Sequence, residues 1–215
     1  MADNINATDM EPIEVVDNTR VLIGMRKKSD NGLFAMTEEE YQKVDKRSYS
    51  VDGIIIRNEE EYCDILVSLS ESEQVFGEGP EDIPETDKRR KSALPNPTFD
   101  DMNGEEHTQW WIKKDKTLAT EGHAIHDAIA FGWLPSCGEI QFIRDNVEGF
   151  NSLMSVVGGI AISESEYWTS TGYSADYMWH LNMATKEFGF WRSKNTSMKV
   201  RPVKDASEYM ESVKE

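Results

Sequence analysis

Gly132-Trp-Leu-Pro-Ser-Cys-Gly-Glu-Ile140 decides how the second half of this chain folds. Gly132 stops whatever helix precedes it, and Trp133-Leu-Pro135 reads as a short extended segment. Ser136 and Glu139 then stand at capping-box spacing. The Ser136 hydroxyl accepts from the Glu139 N–H, and the Glu139 carboxylate accepts from the Ser136 N–H. This box starts a helix from Cys137 to about Asn146, with Ile140 and Ile143 on its buried side.

Upstream, Leu118, Ala119, Ala124, Ile125, Ala128 and Ile129 recur at helical spacing, so Thr117 to Phe131 is expected to be one helix closed by Gly132. Downstream, Phe150 to Val157 reads as a third, short helix ending at Gly158-Gly159. The pattern then changes period. Glu166–Thr171, Tyr177–Met183, Glu187–Trp191 and Met198–Val203 each read as a strand. Within the second of these, Met178 and His180 alternate with Trp179, Leu181 and Met183. Helices followed by a run of antiparallel strands make the fold class α+β.

The first half is punctuated differently. Residues 1–20 are polar and acidic and are expected to be a flexible or anchoring segment, ordered on a partner. Val21-Leu-Ile-Gly24 and Leu33-Phe-Ala-Met36 flank the turn signal Asp30-Asn-Gly32, which predicts a hairpin. Thr37 before three glutamates predicts a capped short helix running to about Val44. Residues 21–50 therefore read as a small hairpin–helix attachment module. A second hairpin follows, Val51–Arg57 and Tyr62–Leu69 around a turn at Asn58–Glu61, and its Ile54-Ile55-Ile56 implies burial on both faces. Charge, Gly and Pro make 70–98 a long surface insertion ending near the basic cluster Lys88-Arg-Arg-Lys91, which reads as a partner for nearby carboxylates. Residues 51–205 form the main domain on this reading, and 206–215 a tail.

The chain has 215 residues, 38% hydrophobic and 29% charged, enough to bury a sizeable core. Asp and Glu outnumber Lys and Arg by 40 to 23, for a net charge of −17, which repels phosphate backbones and argues against nucleic acid as a partner. No apolar run approaches the roughly 20 residues that span a bilayer, so membrane insertion is not expected. Met1–Asp17 lacks the basic-then-apolar pattern of a secretory signal, so the chain is expected to be made in the cytoplasm and to leave it only within a larger particle. Cys63 and Cys137 are too few and too far apart for a disulfide framework and are expected to be reduced and buried.

Several short motifs stand in one order: Asp101-Met-Asn-Gly104 with Thr108 and Ile112, Gly132–Ile140, Tyr167-Trp-Thr-Ser-Thr171, Trp179, and Val200-Arg-Pro-Val203. The arrangement resembles the collagen-like-adhesin C-terminal domain family, a branch of the C-type-lectin fold related to formylglycine-generating enzyme. It covers about Asp100 to Lys204 and with the preceding hairpin reaches back to Val51. His107 where Asn is usual, Cys137-Gly138 inside the second motif, and Thr169 for Ser are the departures. The resemblance implies a small antiparallel sheet with two or three packed helices. It puts Trp133 and Leu134 in the core, Pro135 and Ser136 at the helix start, and Trp168 on the central strand. It also implies that Arg201 pairs with a carboxylate such as Glu139, and that Gly172–Ser197 lies at the exposed, ligand-facing end.

Catalytic constellations are weak by comparison. His123 and His126 share a helix face but lack a third ligand at metal spacing, and read as partly exposed helix residues. Ser170 and His180 can be drawn with an Asp as a triad, but nothing in the sequence places them together. Formylglycine-generating enzymes need a cysteine pair late in the domain, whereas Cys63 and Cys137 precede the strand-rich region. Cys137 at a helix N-terminus could be activated, but burial beneath Trp133-Leu-Pro135 is the simpler reading. Glu164, Glu166, Asp176 and Asn182 could be recruited to calcium in principle, but the family lacks the usual calcium loop. No enzyme activity, metal or cofactor is expected.

The aromatic cluster is the remaining candidate. Tyr173, Tyr177, Trp179, His180, Phe188, Phe190 and Trp191 crowd into one stretch, and strand alternation predicts that about half of them face outward. The candidate ligand-binding residues are Tyr173, Tyr177, His180, Asn182, Phe188, Phe190, Trp191 and Asn195; Trp133, Pro135, Ser136, Glu139, Trp168 and Arg201 are the structural ones. Related domains form phage receptor-binding tips. The resemblance therefore implies a bacteriophage virion protein (fibre, tail tip or head decoration), homotrimeric by analogy. It would join other virion proteins through its N-terminal segment and meet a host cell-surface glycan or protein. The alternative is a bacterial cell-surface adhesin.

Overall fold

The computed structural model describes residues 19–58, 63–78, 101–173, 177–189 and 195–210. Two sheets carry the fold. The first has the order β10-β4-β3-β1-β2, built from β1 (Thr19–Lys27), β2 (Leu33–Met36), β3 (Tyr49–Asn58), β4 (Cys63–Val67) and β10 (Val203–Asp205), and every pairing in it is antiparallel. The Asp30-Asn-Gly32 turn forms as its sequence dictates. Asn31 takes φ 58°, the Gly32 N–H donates to Asp30 Oδ1 at 3.0 Å, and Lys27 N donates to Gly32 O at 2.8 Å. Thr37 and Glu40 make a full capping box at the start of α1 (Glu38–Lys43).

Ile54-Ile55-Ile56 is buried on both faces. Ile54 and Ile56 join Ile23, Met25, Ile65 and Val67 in the main core, while Ile55 joins Leu22 and Leu66 on the opposite face. Ala206, Tyr209 and Met210 cover that second face, the last two from α6 (Ser207–Met210), so the expected C-terminal tail begins as part of the core. Each isoleucine so buried contributes about 1.5–3 kcal/mol.

The second sheet has the order β5-β9-β6-β7-β8, from β5 (Ser72–Val75), β6 (Glu166–Gly172), β7 (Met178–Asn182), β8 (Glu187–Gly189) and β9 (Ser197–Val200). Its ladders are antiparallel apart from the β6–β9 contact, Tyr167 opposite Lys199. Helices cover both faces. Tyr167 and Leu181 enter the main core beside Ile140 and Ile143 of α4 (Cys137–Asp145) and Phe150, Leu153 and Met154 of α5 (Val147–Val157). Trp168 and Met178 enter a second core with Trp111 of α2 (Gly104–Lys114) and Ile125 and Ala128 of α3 (Ala124–Ile129). There Phe76 meets Trp111 and Trp168 edge-on, at 5.3 and 5.8 Å between ring centroids. The architecture is α+β, with two antiparallel-rich sheets.

Several expectations are corrected. Residues 21–50 are not a separate module: β1 is hydrogen-bonded to β3 along its whole length, so one sheet runs across the division at residue 50. The helix expected over Thr117–Phe131 is interrupted, because Gly122 takes φ 94° between a 3₁₀ turn (Lys116–Ala119) and α3. The expected surface insertion contains β5, which pairs with β9. The strand expected over Met198–Val203 breaks at Arg201-Pro202, so β9 and β10 belong to different sheets. Trp133 N and O close that crossover on Val203 O and N at 2.8 and 3.0 Å. The acidic start through residue 18, most of the Asn58–Glu61 turn, the basic cluster at 88–91, Asp176 and residues 211–215 lie outside the described residues.

Candidate functional site

β6 and β7 pair from Glu166 opposite Asn182 to Trp168 opposite His180, and resume at Gly172 opposite Met178. Thr169, Ser170 and Thr171 therefore face Trp179 alone, a bulge of three residues against one. Each bulge residue is bonded elsewhere. Thr169 Oγ1 donates to Trp179 O at 2.8 Å, and Ser170 N donates to Pro135 O at 2.8 Å while Ser170 O accepts from Trp111 Nε1 at 2.9 Å. Thr171 Oγ1 donates to Asp101 Oδ2 at 2.7 Å and accepts from Cys137 N at 3.0 Å. Four segments thus hold one strand irregularity.

Behind the bulge lies a buried polar knot. Asp101 O accepts from Gly138 N at 3.0 Å and from Ser136 Oγ, and Asp101 Oδ1 accepts from Asn103 N at 3.3 Å. Leu134 N donates to Thr108 Oγ1 at 3.2 Å. The Ser136–Glu139 capping box forms, with Ser136 N on Glu139 Oε2 at 2.7 Å, and Trp133 Nε1 donates to the same carboxylate at 3.2 Å. Burial pushes the Glu139 carboxyl up to about 7, against the downward pull of those donors. Gly104 makes the close approach feasible, since a Cβ there would overlap Glu139 Oε2 and press on Leu134 O. His107 Nδ1 lies 3.8 Å from Asp101 Oδ2, both side chains fully buried.

In front of the bulge sits the aromatic end. Tyr173 N donates to Tyr177 O at 3.0 Å, and the Tyr173 and Trp179 rings meet edge-to-face at 5.4 Å. Tyr177 is 39% exposed, Tyr173 is half-buried and Trp179 is 8% exposed. An exposed tyrosine beside a fixed aromatic pair supplies apolar contact area with polar tips at small entropic cost. Asn195 is exposed. Phe190 and Trp191 lie outside the described residues.

The other candidates are committed to the fold. His180 shares a sheet face with Trp168, is 4% exposed, and lies so close under Gly189 that a Cβ there would overlap its ring. Of the aromatic set expected to be about half outward-facing, Tyr177 is exposed and Tyr173 and Phe188 are half-buried, whereas within β7 helices cover both faces and Met178 to Leu181 are all buried. Asn182 Oδ1 accepts from Ala184 N and Thr185 N at 3.0 and 3.1 Å and so shapes the β7–β8 turn. Phe188 packs half-buried against the main core.

Among the structural candidates, Trp168 is fully buried on the central strand of its sheet and bonds Gln74 O through Nε1 at 2.9 Å. Leu134 and Pro135 are buried, and Trp133 packs half-buried on the main core. Arg201 does not reach Glu139; it pairs with Glu71 at 2.7 Å and donates to Ser68 O and Ile160 O at 3.0 and 2.9 Å. The reason is the break at Arg201-Pro202, which leads the side chain back toward the β4–β5 connection. Cys137 is buried, its Sγ 3.7 Å from Thr169 Oγ1. His123 Nδ1 contacts Thr120 O and His126 Nδ1 contacts Asp127, both at 3.0 Å. Among the described residues, no three His, Cys, Asp or Glu side chains gather as metal ligands, and no helix is long and apolar enough to cross a membrane. Spacing could not reveal the Asp101–Thr171 and Trp111–Ser170 bonds, whose partners are 70 and 59 residues apart.

No family model and no curated protein matches the chain. Among solved structures, a fimbrial protein from Bacteroides ovatus ATCC 8483 is similar over 67% of this chain at 15% identity, with a TM-score of 0.46. The match spans 36% of that protein's own length, and a likeness this distant carries no argument about fold or role.

Proposed function

We propose that the chain is a non-enzymatic displayed binding protein. On this reading it is a virion subunit of a bacterial virus whose Tyr173–Tyr177–Trp179 end meets a glycan or protein on the host cell surface. The observation that carries it is exposed Tyr177 beside the Tyr173–Trp179 pair, on a bulge fixed from behind by four segments. Preorganised aromatic contacts of this kind favour recognition because little freedom is lost on binding. A C-type-lectin-like arrangement of the main domain belongs to the same proposal. Its support is the antiparallel β4–β10 pair near the two ends of that region, with α2 and α4 before β6 to β9. Asp101, Pro135 and Cys137 from two of the sequence motifs also meet Ser170 and Thr171 of a third at the bulge, and Trp133 pairs with Val203 of the last.

The test has two arms. Mass spectrometry of purified virus particles should find the chain in stoichiometric amount; finding it instead on the surface of uninfected cells would favour the bacterial adhesin. The full chain should bind host cells, and Tyr177→Ala should weaken that binding while leaving the melting temperature unchanged. Equal binding by the variant would overturn the assignment of the aromatic end.

A further inference from the structure

We propose that β2 is a docking edge for a second copy of this chain, paired antiparallel through Leu33–Met36 about a twofold axis at Phe34. The edge belongs to the first sheet, apart from the aromatic end of the second. β2 is the last strand of its sheet, with β1 on its inner side. Lys27 N donates to Gly32 O at 2.8 Å, so the ladder turns the main-chain groups of Phe34 and Met36 toward β1 and those of Leu33 and Ala35 outward. Among the described residues, none bonds the Leu33 and Ala35 groups on that outer side.

Sheet edges are ordinarily blunted by a charge, a proline, a bulge or a covering element. Leu33-Phe-Ala-Met36 is apolar throughout, and its register with β1 runs without a shift. Its side chains pack to the two faces, Leu33 and Ala35 on the side of Tyr209 and Met210, Phe34 and Met36 in the main core with Tyr41. The edge itself is left open to another strand. Two other outer strands are closed: Val203 of β10 exchanges bonds with Trp133, and Val75 of β5 bridges to His123.

Self-complementarity names the occupant. With Leu33 and Ala35 facing outward, an antiparallel second copy sets Leu33 opposite the partner's Ala35 and Ala35 opposite the partner's Leu33. Each of these pairs exchanges two N–H···O bonds. Phe34 then faces the partner's Phe34 at the close, non-hydrogen-bonded position, where aromatic pairs add stability. Phe34 already stands edge-on to Tyr49 at 6.2 Å, so the two rings extend an aromatic contact. The same pairing lays the hairpin end of one copy beside the start of α1 of the other. The hairpin end carries half-buried Lys27 and exposed Lys28 against the single Asp30; the start of α1 carries exposed Glu38, Glu39 and Glu40. Opposite charges thus meet at both ends of the paired strands. An unrelated strand could take the main-chain bonds but would not match both charged ends.

Sedimentation of the full chain tests the pairing without a ligand. A few neutral hydrogen bonds over a small contact make the pair weak, with a dissociation constant on the order of 0.1 mM. The mass should rise with concentration from 24.5 kDa toward twice that value, and protection of the Leu33 and Ala35 amides should rise with it. Lys27→Glu with Lys28→Glu, and separately Glu38→Lys with Glu39→Lys, should each weaken self-pairing at least about tenfold, and mixing the two variants should restore it. These side chains are outside the core, so both variants should melt close to the wild type. A mass of 24.5 kDa at every concentration overturns the proposal, as does a dimer in which the Leu33 and Ala35 amides gain no protection. Variants that self-pair like the wild type, or that fail to pair when mixed, overturn it too. Amides protected equally at every dilution would show the edge covered by the chain's own residues, which also overturns it.

Discussion

Arg201 and Glu71, 130 residues apart, form a buried ion pair of 2.7 Å exactly where the chain leaves one sheet for the other. Arg201 also holds three main-chain oxygens, those of Ser68, Ile160 and Ala161, so one guanidinium joins the β4–β5 connection, the loop before β6 and the β9–β10 crossover. Glu71 is itself bonded by Tyr167 Oη at 2.8 Å and approached by Lys199 Nζ at 3.3 Å. Removing the arginine therefore leaves a buried carboxylate and several unpaired carbonyls.

Arg201→Ala is expected to cost about 3–5 kcal/mol. Urea unfolding should show the loss as a lower midpoint at unchanged slope. A loss within the range of ordinary surface substitutions, roughly 0.5 kcal/mol, would show that the crossover does not depend on this pair.

His180→Ala and Tyr177→Ala should separate cleanly. The first removes a buried ring packed under Gly189 and should destabilise by about 2–3 kcal/mol; the second alters an exposed side chain and should stay within roughly 0.5 kcal/mol. Thermal melts of the two variants check this, and the host-cell assay should show loss of binding for Tyr177→Ala in a fully folded protein.

Gly104→Ala should destabilise by about 1–3 kcal/mol through overpacking against Glu139 and Trp133. The double variant Gly104→Ala with Glu139→Ala should recover part of that loss, because the clashing carboxylate is gone. A double-mutant cycle by denaturant unfolding measures the coupling.

The fold should be more stable in mild acid than in mild base. Burial raises the Glu139 carboxyl to about 7 in the folded chain, from an ordinary value of 4.5. Its raised pKa means the stabilising contribution is fully present below about 4.5 and is lost as pH rises through about 7. A difference of this size corresponds to about 3 kcal/mol. Unfolding free energies between about pH 5 and pH 8.5 should follow that slope in the wild type and flatten in Glu139→Gln.

Local signals were readable wherever cause and effect are close in sequence. Asp30-Asn-Gly32, the Thr37 and Ser136 capping boxes, the Gly158 helix stop and the doubly buried Ile54-Ile55-Ile56 all followed from neighbours a few residues away. Non-local features were hidden. Ser72-Glu-Gln-Val75 has the composition of a loop and becomes a strand because β9 offers it an edge. Alternation across the aromatic stretch implied that about half of it faces outward, yet the helices that bury Trp179 and His180 of β7 are specified elsewhere in the chain. At the site, Tyr177 was legible as an exposed aromatic, but nothing local marks Asp101 as the anchor of Thr171 or Glu71 as the partner of Arg201.

The anchoring of the bulge has a consequence for redesign. Among the described residues, its hydrogen bonds run from Thr169, Ser170 and Thr171 to Trp179 and to Asp101, Trp111, Pro135 and Cys137, all but the first before position 140. Exchanging Tyr177 for another side chain therefore leaves each of these bonds in place, much as interchangeable bits share one chuck.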